Sequence, residues 1–458
     1  MIKRIAQKLS SLRQKRDLTV GSISKNIWIL ALPLVVGNFL QSMFNLVDMF
    51  WVGRLGPSAL AAVAMSGSIM MILFTMVIGL ATGTTAMVSR FIGAKKTVEA
   101  AQVAAQSINI SVFGSIFIAV LGYVFAGGML KLLGAPPDVL RLGSAYLQII
   151  FLGSFSVFFF FIFFAVLRGS GDAVTPTLVL MFCTLINIVL DPLLIFGIGP
   201  FPRMGVAGAA LATILSQLVG VAIGLEILLR GRSHLHLHIK YFKVNWDYLY
   251  RIIKIGIPSS LQMSLRGIMG VILMAIVAWF GTFAIAAYGV VFRLIMVLMM
   301  PGFALADASA ILVGQNLGAQ KPDRAERSAW TTAFYYMGFM IMVGCLGFIF
   351  APSIMRVFNP NVEVVKIGTD FMRIAAFSYV FTAFGIVLGR SMSGAGDTIS
   401  PLILTFIALW VIQIPLAVIL SKSMGLRGIW FSFLIANSVN GIITILWFKV
   451  GKWKHKKV

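Results

Sequence analysis

The octet "GSGDAVTP" at residues 169–176 returns as "GAGDTISP" at 394–401, a separation of 225 residues. Both read Gly-x-Gly-Asp-x-x-(Thr/Ser)-Pro. The glycines permit a tight turn, the aspartate can cap a following helix, and a Thr or Ser before proline suits a helix start. The same separation carries Pro33 to Pro258, Gly56 to Gly281, "IGAK" (92–95) to "LGAQ" (317–320) and Gly143 to Gly368. A register held across about 140 residues is the signature of a tandem duplication, so each half must fold in the same way.

The composition states where that fold lives. Of 458 residues 59% are hydrophobic and 11% charged, against about 25% charged in soluble domains. Twelve apolar runs, at 25–52, 57–82, 100–126, 138–165, 175–197, 204–229, 252–279, 284–313, 326–351, 361–388, 400–420 and 427–448, are each long enough for a helix to cross about 30 Å of hydrocarbon. The expected fold is an all-α integral membrane protein with twelve transmembrane helices in two six-helix lobes. An even number per lobe gives the lobes one orientation, so a pseudo-twofold axis along the membrane normal and a cavity between lobes are expected. The expected segments are a basic N-terminal stretch (1–24), an N-lobe (25–229), a cytoplasmic linker (230–251), a C-lobe (252–448) and a basic tail (449–458).

A net charge of +23 would suggest nucleic acid in a soluble chain. Here 26 of the 37 Lys and Arg fall in the termini and alternate loops, 9 on the opposite side, and Arg266 and Arg293 within spans. The charge therefore has a topological origin: both termini are expected in the cytoplasm, facing anionic headgroups, with no nucleic-acid partner. The start, "MIKRIAQKLSSLRQKRD", lacks the pattern of a cleavable signal and reads as an amphipathic surface helix or a disordered basic arm. Cys183 and Cys345 lie in apolar runs and read as small buried hydrophobes.

Subtracting one half from the other isolates what the N-lobe holds alone. In "QSMFNLVDMFWVG" (41–53), Gln41 corresponds to Arg266 and Asp48 to Leu273. Tyr146 corresponds to Phe371, Asn187 to Ile412 and Asp191 to Leu416; past an indel the offset is about 220, and Thr213 meets Phe433. The scaffold thus needs none of these polar groups. At 1.5 Å per residue, Asp48 lies about 6 Å from the outer end of its span, Asp191 about 9 Å, Tyr146 and Thr213 about 12–14 Å, and Asn187 and Gln41 about 15–16 Å. Asn187 and Asp191, four apart, share a helix face, as do Gln41 and Asp48, seven apart. Two carboxylates held close in an apolar medium require a proton or a cation between them, and carboxylate, amide and hydroxyl oxygens suit Na⁺ or a proton network.

Other polar residues read as structural. Asp307 is a gate or helix-end residue too deep to meet Arg266. Asp370 and Arg373, at i,i+3, are expected to neutralise each other, and "HLHLH" (234–238) to be a solvated linker strand. Pro33 and Pro258 bend their helices. The 37 Phe and 24 Met, with "VFFFFIFF" at 157–164, pack helices or face lipid, and a cavity lined by them would take apolar ligands of varied shape.

The stretch "LALPLVVGNFLQSMFNLVDMFWVGRLGPSALAA" (30–62), supported by "VSRFIGAKK", "LRGSGDAVTP", "NIVLDPLLIFG" and "VGQNLGAQ", resembles the multidrug and toxic compound extrusion (MATE) transporters. That resemblance implies a secondary antiporter in the multidrug/oligosaccharidyl-lipid/polysaccharide exporter superfamily, driven by H⁺ or Na⁺ through a rocker-switch cycle and exporting amphipathic, often cationic, compounds. It implies cation coupling at Asp48, Asn187, Asp191 and Thr213, with Gln41 and Tyr146 around them and Pro33 at the helix-1 bend. Some members carry an acid in helix 7; residues 252–279 hold none, so the coupling acids implied are those of the N-lobe. The expectation is a monomer in the plasma (inner) membrane, with no cofactor, and not an enzyme: no His-Glu-x-x-His occurs and the four histidines lie outside the spans. The competing reading is a lipid-linked oligosaccharide flippase of the same superfamily, which Arg266 and Arg293 would suit and the N-lobe acids would not.

Overall fold

A computed structural model describes residues 17–231, 233 and 235–456. Among these residues the regular structure is entirely helical. The first half holds α1 (Ile23–Gly53), α2 (Pro57–Gly93), α3 (Thr97–Leu132), α4 (Pro137–Leu152), α5 (Ser154–Gly169), α6 (Val174–Phe196) and α7 (Val206–Leu229). The second holds α8 (Trp246–Ala278), α9 (Thr282–Gly318), α10 (Pro322–Phe358), α11 (Val362–Ala376), α12 (Tyr379–Gly394), α13 (Ile399–Phe406), α14 (Ile414–Met424) and α15 (Leu426–Val450). A π-helical stretch, Ile407–Gln413, joins α13 to α14 into one span. Ten helices are long and apolar enough to cross a membrane, and two bent pairs bring the number to twelve.

The bends revise the expected spans 4 and 10. Each is two helices, α4–α5 meeting at 52° and α11–α12 at 58°. Neither break contains proline. At Gly153 an added Cβ would lie 2.2 Å from Ile214 Cδ1, so a larger residue at the bend would have to displace this side chain of α7.

The duplication is written into the backbone. The only non-glycine residues with positive φ, among those described, are Lys95 and Gln320, both at 59° and 225 residues apart. Each closes the end of a 37-residue helix with the same bonds. Lys96 N–H donates to Phe91 O at 2.9 Å and Lys321 N–H to Asn316 O at 2.8 Å, the pattern that ends a helix in a left-handed residue. Helices α2 and α9 thus run beyond their apolar stretches and stop at the turn. The octets match likewise. Gly171 and Gly396 have φ of 94° and 91°. Asp172 Oδ1 accepts from Thr175 N–H at 2.9 Å, and Asp397 accepts from the Ser400 hydroxyl at 2.6 Å.

The chain forms two compact units. In the described residues one comprises Asp17 and 32–260, the other Leu18–Ala31 and 261–456. Within the first, the linker is docked on α3. Gln106 Nε2 donates to the carbonyls of Tyr241 and Lys243, both at 2.8 Å, and Asn109 Nδ2 to Phe242 O at 2.9 Å. Leu235 and Leu237 are buried and Leu237 N–H bonds Leu228 O, while His236 and His238 are exposed, so the leucines anchor the stretch and the described histidines face outward, without a regular strand. Arg232 and His234 lie outside the described residues, as do 1–16, where the amphipathic helix or basic arm was expected.

Within the second unit, Leu18–Gly21 is held by side chains that read its carbonyls: Lys321 Nζ bonds Thr19 O at 3.0 Å, Arg324 bonds Val20 O and Gly21 O, and Asn26 Nδ2 bonds Leu18 O and Val20 O. The tail folds onto protein: Trp453 is 1% exposed, and Lys454 meets Glu326 at 2.6 Å. The i,i+3 pairing of Asp370 with Arg373 does not form. Asp370 binds Arg427 at 2.9 Å, while Arg373 donates to Phe348 O and lies over the Phe348 ring. Asp307 pairs with Arg390 at 2.8 Å.

Candidate functional site

The N-lobe polar residues lie in the first unit, on α1, α4, α6 and α7. Asn187 and Asp191 are fully buried on one face of α6, and Asn187 Nδ2 donates to Asp191 Oδ1 at 3.1 Å. Pro192 sits inside the helix just past Asp191 and supplies no N–H, so α6 is locally unlocked beside its acid. The close approach of α7 depends on Gly208, where a Cβ would stand 2.5 Å from Leu194 O.

Asp48, on α1, interacts electrostatically with Asp191, and Tyr146, on α4 and 5% exposed, with both. Three oxygens here are buried without a hydrogen bond: Asp48 Oδ1, Asn187 Oδ1 and Asp191 Oδ2. Each is an acceptor, and a buried acceptor without a donor costs about 1–3 kcal/mol. Eleven buried side-chain atoms among the described residues lack a hydrogen-bond partner. Three of them, all acceptors and two of them carboxylate oxygens, belong to this one group of residues, where a donor or a positive charge would satisfy them. A proton or a hard monovalent cation fits this donor set; a soft metal does not.

Two expected members are less engaged. Gln41 and Thr213 are half-buried, and no side-chain hydrogen bond ties either to the acids among the described residues. Pro33 lies inside a continuous α1, and its carbonyl accepts from Thr177 Oγ1 of α6 at 2.9 Å. Gly37 makes room for this contact, its Cβ position being 3.4 Å from the same hydroxyl. Thr177 thus connects the proline of α1 to the helix that carries both Asn187 and Asp191. It escaped the sequence comparison although its counterpart, Leu402, is apolar.

The equivalent place in the second unit is apolar. Leu273, opposite Asp48 in the repeat, is 4% exposed. Phe371, opposite Tyr146, stacks on Trp430 with centroids 4.1 Å apart, and Phe433, opposite Thr213, meets Phe371 edge-on at 5.5 Å. The same scaffold therefore holds an aromatic plug in one half and two carboxylates in the other.

A duplicated helical membrane protein whose two repeats share one scaffold, with polar groups gathered in one of them, has the architecture of a membrane transporter. Comparison with known proteins makes the class specific. The chain belongs to the MatE family, whose sequence pattern matches residues 33–193 and again 258–419. The protein is a MATE transporter and not an enzyme. It is 29% identical over 448 residues to the probable multidrug resistance protein YoeA of Bacillus subtilis (strain 168), covering 95% of this chain and 96% of that one. It is 27% identical to the multidrug export protein MepA of Staphylococcus haemolyticus (strain JCSC1435), covering 92% of each. A crystal structure of MATE in complex with MaL6 superposes with a TM-score of 0.88 at 27% identity, over 97% of this chain and 100% of that one.

Proposed function

We propose that the protein is an antiporter that exports amphipathic, often cationic, organic molecules in exchange for H⁺ or Na⁺ by a rocker-switch cycle. The observation that carries this reading is the set of three buried oxygens without donors on Asp48, Asn187 and Asp191. A cation or proton entering there satisfies all three at once and neutralises the two carboxylates. Thr213 and Gln41, half-buried and uncommitted, are free to turn toward the ion, and Tyr146 lies within electrostatic reach of both acids. Loading the site draws α1 toward α6, and the Thr177–Pro33 contact transmits that shift to the α1 segment around Pro33. The names of the relatives, multidrug resistance and multidrug export, support the substrate class. The working form is a monomer in the plasma membrane with both termini in the cytoplasm, as the placement of its positive charge favours.

Purified protein in liposomes tests this. Separate Na⁺ and pH gradients are imposed and export of a fluorescent cation is followed. One gradient should drive export, and Asp48→Asn should abolish it while the variant remains monodisperse. Undiminished export by Asp48→Asn would remove Asp48 from the coupling role.

A further inference from the structure

The C-lobe also carries polar groups that its repeat partner lacks or replaces. Gln262, Arg266, Asp307, Arg390 and Thr405 correspond at the same offset to Gly37, Gln41, Thr82, Ala165 and Leu180. Four of these five C-lobe side chains line one cavity of about 250 Å³ within the second unit, formed by α8, α9 and α12. The fifth, Thr405, stands behind it: its hydroxyl accepts from Gln262 Nε2 at 2.8 Å and from the Arg266 guanidinium at 3.4 Å. Trp410, in the π-helical stretch, donates to Leu265 O at 3.3 Å and braces the α8 backbone next to Arg266.

The charges in this cavity do not balance. Asp307 and Arg390 pair at 2.8 Å, but among the described residues no carboxylate pairs with Arg266. Arg266 lies in a helix long and apolar enough to cross a membrane, and its side chain is exposed, so its guanidinium is accessible to an anion entering the cavity. The rest of the wall is apolar or small: Met263, Phe303, Ile386 and Gly389. A Cβ at Gly389 would find only Pro401 Cβ, at 4.0 Å, so that wall is open. The volume is below the roughly 300–1,000 Å³ of pockets that enclose a whole drug-sized ligand. It suits one polar end of a larger molecule.

We propose that this C-lobe cavity is a substrate subsite in which Arg266, oriented by Thr405 and flanked by Gln262, binds an anionic group, a carboxylate in the first instance, of an amphipathic substrate. The inference deepens the export reading and rests on it: the substrate range includes zwitterions, with the acid end in the C-lobe. A guanidinium offers a carboxylate two parallel N–H donors, which an ammonium cannot reproduce. The Asp307–Arg390 pair, net neutral, closes one wall and leaves Arg266 as the cavity's uncompensated charge.

The test is equilibrium binding to purified full-length protein, followed by fluorescence polarisation with two rhodamines. Rhodamine 110 carries a free carboxylate and rhodamine 123 is its methyl ester. Wild type should prefer the acid by about ten-fold, the worth of one charge-assisted contact. Arg266→Gln should bring the acid-to-ester ratio close to one, and Arg266→Lys should leave it in between. An unchanged ratio in Arg266→Gln, or no preference in wild type, overturns the proposal. If Arg266→Gln does not yield monodisperse protein, the Lys variant decides: a ratio equal to wild type overturns the proposal, and a reduced one supports it. Binding needs no gradient. A ratio that responds to Arg266 while neither dye is exported from energised liposomes would therefore remove the antiport reading and keep the subsite; export with an unresponsive ratio would do the reverse.

Discussion

Asp191→Asn separates a coupling carboxylate from a structural one. Asp191 is fully buried; Oδ1 accepts one bond from Asn187 at 3.1 Å and Oδ2 accepts none. Asparagine has the same shape and keeps an acceptor for that bond, so packing is conserved. The change removes one of two neighbouring negative charges and brings an NH₂ donor to a site whose unpartnered atoms are all acceptors. Relief of a buried, unpaired charge should stabilise the folded protein by about 1–3 kcal/mol. With about 2.1 cal/mol/K of unfolding entropy per residue, a chain of this length has on the order of 1 kcal/mol/K in total, so the melting temperature should rise by about 1–3 °C. Coupling should move the other way. A contact to a charged group is worth about 1.5–3 kcal/mol, so cation affinity should drop by about 10- to 150-fold and gradient-driven export with it. The assay pairs a thermal melt read by size-exclusion chromatography with dye export from liposomes. A lower melting temperature with export intact would show that Asp191 is there to hold α6 together, and the reasoning from its unpartnered oxygen would be wrong.

Three further outcomes follow from the geometry. Tyr146→Phe keeps the ring in its core position and removes the hydroxyl near both acids; cation affinity measured by titration of dye release should weaken about 2- to 10-fold, with the melting temperature almost unchanged. Gly208→Ala places a Cβ 2.5 Å from Leu194 O and must push α7 off the helix bearing Asn187 and Asp191. It should destabilise by about 1–3 kcal/mol in the same melt and lower export. Gln320→Gly relieves a side chain held at a φ of 59° and should be neutral or stabilising by up to about 1 kcal/mol, whereas Gln320→Val should destabilise by a similar amount or more.

Much of the fold was legible because the turns that divide the chain demand particular chemistry. A left-handed turn needs glycine or a tolerant polar residue, and a helix start needs a cap, so Gly171 and Gly396, Asp172 and Asp397, and Lys95 and Gln320 survived as matched pairs. The bends in spans 4 and 10 were not legible. No proline marks them, and Gly153 at the first bend packs against Ile214, a contact 61 residues away in the chain. The acids were found by asking which polar residues the repeat could do without. Thr177 against Leu402 carries the same signal for the hydroxyl beneath Pro33, and Gln262, Asp307, Arg390 and Thr405 against their N-lobe counterparts carry it for the neighbours of Arg266. Sequence spacing also misled. Asp370 and Arg373 are close enough on one helix to pair, yet Asp370 pairs instead with Arg427 in α15, 57 positions away. Depth along a helix can be counted; the choice between two cations at that depth depends on packing.

The strip Leu18–Ala31 is held by residues made 302 to 311 positions later, among them Lys321, Arg324 and Tyr335. During synthesis it must therefore wait, already threaded into the bilayer at its Ile23 end, while almost two-thirds of the chain is translated. Insertion can proceed helix by helix, but the second unit cannot be completed from its own half of the sequence. A C-lobe expressed alone should lack a strap on Lys321 and Arg324, and supplying the strip in trans should restore what a lone half cannot make for itself.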